Sequence, residues 1–295
     1  MTILALEIGP TRFAAVQASD EVGEDQIRRI SVPPRGAWNA CREMLLDAAT
    51  GAEISSVGIA AAGPIDMVAG VVAPAGISEW RSGFAIVEEV RKLFPSATVR
   101  LALDGVCLAL AERNFGGIAD TPDALSVMVA DRIVAGVSVG GFTVVGRTGN
   151  AGHIGHMLVP GADDRCHCGG RGCLEAVASS GATLRWARGQ GWQGESVEDL
   201  LDAAVAGDEI ATAAVRRSGT AIGQIIASVA PLLDFDLVVV GGPLARPGSP
   251  LWKPLGAAVA THARLGFLTG LRVIPSPLGD ISLLAGAGVL GVTEE

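Results

Sequence analysis

The chain lacks most of what would mark a secreted, membrane-spanning or nucleic-acid-binding protein. Its five cysteines are an odd number, which fits a reducing compartment better than a disulfide framework. No secretory or transit segment opens it, since Thr2 leads straight into the strand pattern Ile3-Leu4-Ala5-Leu6. Mean hydropathy is high, yet no apolar run approaches the ~20 residues of a spanning helix. Even Ala221 to Gly241 is broken by Gln224, Asp234 and Asp236. The net charge is −9, and no Lys/Arg cluster stands out to offset it, which argues against a nucleic-acid surface. A Gly-rich strand-to-helix crossover of the Rossmann or P-loop kind is also missing. These absences leave a soluble, cytoplasmic protein as the expectation.

What is present suits a large globular fold. Of 295 residues, 49% are hydrophobic and 18% charged, and the length favours two domains. Strand-like runs fall at 2–8, 13–17, 57–61, 98–103, 125–130, 133–139, 236–240 and 271–274. Helical periods fall near 38–49, 84–93, 105–115, 173–188, 197–206, 209–231 and 253–264, so the class is α/β. ILALEIGPTRFAAVQ (3–17) is a strand, a Gly-containing turn and a second strand, and LSVMVADRIVAGVSVGG (125–141) repeats that plan. Two halves opening on the same hairpin predict a duplicated, two-lobed fold with a central cleft. The Gly-, Asp- and Pro-rich stretch 115–124 is the natural boundary. It gives an N-terminal lobe of 1–117, joined by a C-terminal helix at about 284–295, and a second lobe of 118–283.

Three of the cysteines lie in CHCGGRGCLE (166–175). Cys166, Cys168 and Cys173, with His156 ten residues upstream, supply the Cys₃His donor set that closes a structural zinc site. Buried or redox-active cysteines are the competing reading. Glycines 169, 170 and 172 let the thiolates converge. His167 is a competing ligand whose side chain should point away from its cysteine neighbours.

GRTGNAGHIGHMLV (146–159) followed by CHCGGRGCLE resembles the zinc-binding stretch of the ROK family, named for repressors, open reading frames and kinases. VGIAAAGPID (57–66), LDGVCLALAERNFG (103–116), VVVGGPLA (238–245) and LLAGAGVLG (283–291) extend the likeness over essentially the whole chain. The resemblance implies a two-lobed actin/hexokinase-type fold and phosphorylation of a sugar by ATP and Mg²⁺, often as a homodimer. It assigns the general base to Asp104, directly after the strand VRLAL. The plainer role of Asp104 is to cap the helix that follows, and both roles are compatible. His153, His156 and Glu175 would meet sugar hydroxyls, His156 with the ring nitrogen that zinc leaves free. For Glu175 the bland alternative is an exposed side chain in a helix's first turn. Glu7, Gly9, Thr11 and Arg12, then Asp131 and Arg132, would face the nucleotide's phosphates, with Gly241 and Gly242 on its adenosine side.

Several positions depart from the family pattern. Asp-Ile-Gly-Gly-Thr-Lys becomes Glu7-Ile8-Gly9-Pro10-Thr11-Arg12, and Pro10 removes a backbone N–H. Gly-Thr-Gly becomes Ala130-Asp131-Arg132, which sets an anion beside the phosphates. On the sugar side two Asn positions are Leu103 and Val106, Ala-Gly-Glu reads Ala151-Gly152-His153, and the Pro-Asn ahead of the cleft's Trp80 reads Pro74-Ala75. Two readings follow: a sugar kinase, or a non-catalytic relative that binds a sugar-like ligand. A DNA-binding repressor needs a helix-turn-helix ahead of the loop at residue 7 and is set aside.

Overall fold

The computed structural model describes residues 2–18 and 24–292; the last three positions of the expected C-terminal helix, 293–295, lie outside them. The chain groups into two compact units, Met1–Phe115 with Thr143–Gly152 and Asp280–Glu295, and Gly116–Phe142 with His153–Gly279.

The first unit is built on strands β1 (Ile3–Ile8), β2 (Arg12–Ala18), β3 (Arg28–Ser31), β4 (Ser56–Ala61), the two-residue pair β5 (Ile65–Asp66) and β6 (Val71–Val72), and β7 (Thr98–Leu103). Its main sheet runs β3-β2-β1-β4-β7. β1 and β2 pair as an antiparallel hairpin, whereas β1, β4 and β7 are mutually parallel. Leu4, Ala5, Leu6 and Ile8 are all buried. Such an apolar run, interrupted only by the buried Glu7, is what a strand covered on both faces requires. The sheet carries α1 (Ala37–Ala49), α2 (Ile86–Leu93), α3 (Asp104–Phe115) and the C-terminal helix Ser282–Val292. A Cβ on Gly286 would collide with the Cys107 carbonyl of α3. Glycine there is what lets the two helices meet backbone to backbone. Asn150 bonds both the N–H and the C=O of Ile65, at 2.9 and 2.7 Å, which draws segment 143–152 onto β5.

The second unit repeats the plan. Its sheet runs β10-β9-β8-β11-β12, from β8 (Ala124–Val129), β9 (Ile133–Val139), β10 (Phe142–Thr143), β11 (Leu237–Gly241) and β12 (Arg272–Pro275). β8 and β9 form the antiparallel hairpin, and β8, β11 and β12 are parallel. Around it lie α4 (Leu174–Ala178), α5 (Ser180–Gly189), α6 (Val197–Val205), α7 (Glu209–Leu233) and α8 (Trp252–His262). The expected helix over 173–188 is two helices. Ser179 sits extended between them, and its hydroxyl accepts the Ala182 N–H at 3.2 Å. A serine that caps a new start stops the preceding helix from running through. No helix among the described residues is long and apolar enough to cross a membrane.

Candidate functional site

The cysteine stretch folds as a tight loop laced by its own backbone. Cys166 N–H donates to the Gly170 carbonyl at 2.9 Å, Gly172 N–H to Asp164 at 2.9 Å and Val159 N–H to Gly172 at 2.8 Å. Gly172 has φ 72°, and a Cβ there would stand 2.6 Å from the Ala162 carbonyl oxygen. The turn that brings Cys173 back to Cys166 therefore needs glycine.

The loop gathers His156, Cys166, Cys168 and Cys173, with one ligand atom of each within 4.8 Å of the others. Cys168 and Cys173 sulfurs are 3.8 Å apart, and Cys166 Sγ is 3.7 Å from His156 Nδ1. A tetrahedron with Zn–S bonds near 2.3 Å has S···S edges of about 3.8 Å, so the donor set fits that ion. Burial first, then the Cys166 and Cys168 sulfurs beside it, push the Cys173 thiol up to about 12. The Gly170 N–H, 3.4 Å away, acts in the other direction on Cys168 and lowers it. Clustered sulfurs that cannot all ionise alone are the setting in which a bound dication reverses the balance.

Glu175 follows the loop in the first turn of α4 and is buried rather than exposed, at 7%. Its Oε2 accepts the Ile133 N–H at 3.0 Å. Its Oε1 lies 3.2 Å from His167 Nδ1. His167 does not turn away from its neighbours as the sequence led us to expect. Its Nδ1 is 3.9 Å from Cys166 Sγ, and its ring makes an edge contact with His156 at 5.6 Å. His153 also lies beside His156, at 5.9 Å between ring centroids. Three imidazoles and one carboxylate thus share one corner of the second unit. The motif pointed to His167 as a competing ligand, but its position between two ligands did not reveal that the ring turns back towards Glu175.

The β8–β9 turn borders this corner, since Ile133 begins β9. Ala130 N–H is spent on the Arg132 carbonyl at 3.0 Å, and the Ala130 carbonyl receives the Ser180 N–H of α5 at 2.8 Å. Asp131 is exposed and Arg132 half-buried. Gly242 packs its Cα against the Val129 carbonyl, where a Cβ would collide, and Gly241 faces Ser276.

In the first unit the corresponding β1–β2 turn is closed by Gly9 N–H on the Arg12 carbonyl at 2.9 Å. Pro10 has no N–H to offer. Glu7 is buried, and the Arg12 guanidinium lies 3.7 Å from it while Thr11 is exposed. Asp104 is 2% exposed and is itself the first residue of α3. Its Oδ1 accepts the Gly105 N–H at 2.7 Å, which fixes the plane of the carboxylate and satisfies one unpaired donor of the helix start. Burial, and after it the charge of Asp104, push the Cys107 thiol upward. Trp80 is a core residue, stacked between Phe13 at 5.5 Å and Phe84 at 4.4 Å. Gly286 and Gly288 pack the C-terminal helix against Cys107 and Ala18.

Comparison with known proteins agrees with this architecture. The model of the ROK family matches residues 3–294. A glucokinase of Thermotoga maritima is 29% identical, over 98% of this chain and 97% of its own. The transcriptional regulator NagC of Escherichia coli is 30% identical over 68% of this chain, which spans 52% of the regulator. The fold superposes with a TM-score of 0.84 on a ROK glucokinase from Streptomyces griseus solved with glucose and AMPPNP, at 24% identity and 99% coverage of both chains.

Proposed function

The chain belongs to the ROK family, and on that premise we propose that it is an ATP-dependent kinase of a hexose or amino sugar. The observation that carries the reading is Asp104, a buried carboxylate held at the start of α3 by the Gly105 N–H. As a sugar hydroxyl attacks the terminal phosphorus of ATP, its proton passes to Asp104 and the bond to the ADP oxygen breaks. Thr11, Arg12 and Arg132 supply donors and positive charge for the phosphates, and Gly241 and Gly242 lie on the nucleotide's adenosine side. His153, His156 and Glu175 contact sugar hydroxyls. A zinc ion on His156, Cys166, Cys168 and Cys173 supplies fixed geometry rather than chemistry. The same premise makes a cytoplasmic homodimer the form to look for in solution.

A second reading is a sugar binder that has given up phosphoryl transfer. Its support is specific: Pro10 lacks an N–H, Arg12 pairs with Glu7, and Asp131 places an exposed anion at the second turn. A coupled ADP-release assay over hexoses and amino sugars, glucose first, separates the two beside calorimetric titration of Mg-ATP. Turnover supports the kinase. Absence of Mg-ATP binding at millimolar levels ends that reading, and sugar binding without turnover establishes the second.

A further inference from the structure

We propose that His167 is a positioning residue for Glu175, through which the order of the cysteine loop is transmitted to the β8–β9 turn. The chain of contacts is short. Cys166 and Cys168 flank His167, so the loop that gathers the sulfurs also sets the imidazole. His167 Nδ1 holds Glu175 Oε1 at 3.2 Å, and Glu175 Oε2 holds the Ile133 N–H at 3.0 Å. Ile133 directly follows Asp131 and Arg132. Gly155 completes the support, since a Cβ there would stand 3.4 Å from Glu175 Cβ.

The asymmetry of the pair makes His167 the adjustable member. Its side chain is 54% exposed, whereas that of Glu175 is 9% exposed. Removing the imidazole therefore opens no cavity, yet it takes one of two donors from a buried carboxylate. With a single remaining anchor the carboxylate can rotate about its bond to Cγ. The Ile133 hydrogen bond then weakens with it. Either a neutral Nδ1–H tautomer or the charged ring makes this contact, so the device does not depend on a protonation change. The consequence for a ligand rests on the sugar-kinase reading: Glu175 would meet the sugar with its orientation already fixed by His167.

The test uses the metal-loaded chain labelled with ¹⁵N-isoleucine, with the Ile133 amide assigned through Ile133→Val. His167→Ala should keep its metal at one ion per chain, shift the Ile133 amide proton upfield and speed its exchange at least several-fold. His167→Gln, whose amide can donate to the same oxygen, should restore part of both effects. An unmoved Ile133 amide in His167→Ala overturns the proposal. Loss of the metal from that variant also overturns it, because the ring would then be a ligand. Calorimetric titration with glucose gives the functional arm, where the dissociation constant should rise about tenfold in His167→Ala and recover in His167→Gln. If the unaltered chain binds no hexose, the sugar reading fails, and the Ile133 result still decides the role of His167.

Discussion

Asp104 can be a base, a helix-start residue or both, and the structure supplies a substitution that separates the roles. Asp104→Asn keeps an oxygen for the Gly105 N–H, 2.7 Å away, and removes only the charge. The stability cost should be the lost interaction with the α3 N-terminus, about 0.3–1 kcal/mol. Asp104→Ala also removes the acceptor. At a site 2% exposed that leaves an unpaired N–H and costs about 1–2 kcal/mol. In catalysis the two variants should not differ. General-base assistance contributes about 10²- to 10⁴-fold, equivalent to about 3–5 kcal/mol of barrier, and both variants should lose it alike. The assay is sugar-dependent ADP release for kcat and kcat/KM, beside urea denaturation of the same preparations. If Asp104→Asn keeps kcat within threefold of the parent, the base assignment is refuted and only the helix-start role stands. If both variants unfold equally, the inferred contribution of the Oδ1 hydrogen bond is wrong.

Elemental analysis should find one zinc per chain, and Cys173→Ser should abolish it. Because burial and the neighbouring sulfurs hold the Cys173 thiol well above its ordinary range, binding at neutral pH must displace its proton, so zinc affinity measured against a chromophoric chelator should rise at least about tenfold per pH unit between pH 6 and 8. Arg217 bonds Asp164 at 2.6 Å and the Val177 carbonyl at 2.8 Å and stacks over Trp186; Arg217→Ala should cost about 2 kcal/mol in urea denaturation, and less in high salt. The Gly36 and Ala37 N–H groups at the start of α1 hold the Glu79 carboxylate below its usual range. Its contribution is therefore present at neutral pH and lost as pH falls through that lowered value, so Glu79→Gln should flatten the acid limb of the stability profile.

The strands longer than four residues were legible because both sheets are built around apolar runs that have no other use. Ile3–Ile8 and Leu237–Gly241 are buried throughout or nearly so, and that density survives any choice of neighbours. β3 was not legible. Arg28-Arg29-Ile30-Ser31 lies at the sheet edge with alternating exposure, and its only strong reason to be a strand is the hairpin it completes against β2. The single helix expected over 173–188 failed for a local reason that periodicity does not report. Ser179 interrupts a helical pattern that is otherwise continuous.

At the site, spacing alone found the donor set, because a metal-closed loop has to be nearly contiguous in sequence. It could not find what the loop does next. Whether residue 167 points outward or back depends on the two ligands beside it and on a carboxylate eight positions on, and none of these is encoded by spacing. The same limit holds for the turns. Pro10 and Asp131 announce a changed environment in the sequence, but only the geometry shows that Gly9 and Ala130 have spent their N–H groups inside the turns and that Arg12 leans on Glu7. A phosphate at either place would have to be met by side chains where a glycine-rich loop would use backbone. That makes Arg12 the discriminating residue. A phosphate must draw it away from Glu7, so Arg12→Ala should weaken Mg-ATP binding in the kinase reading and leave sugar affinity untouched in the other.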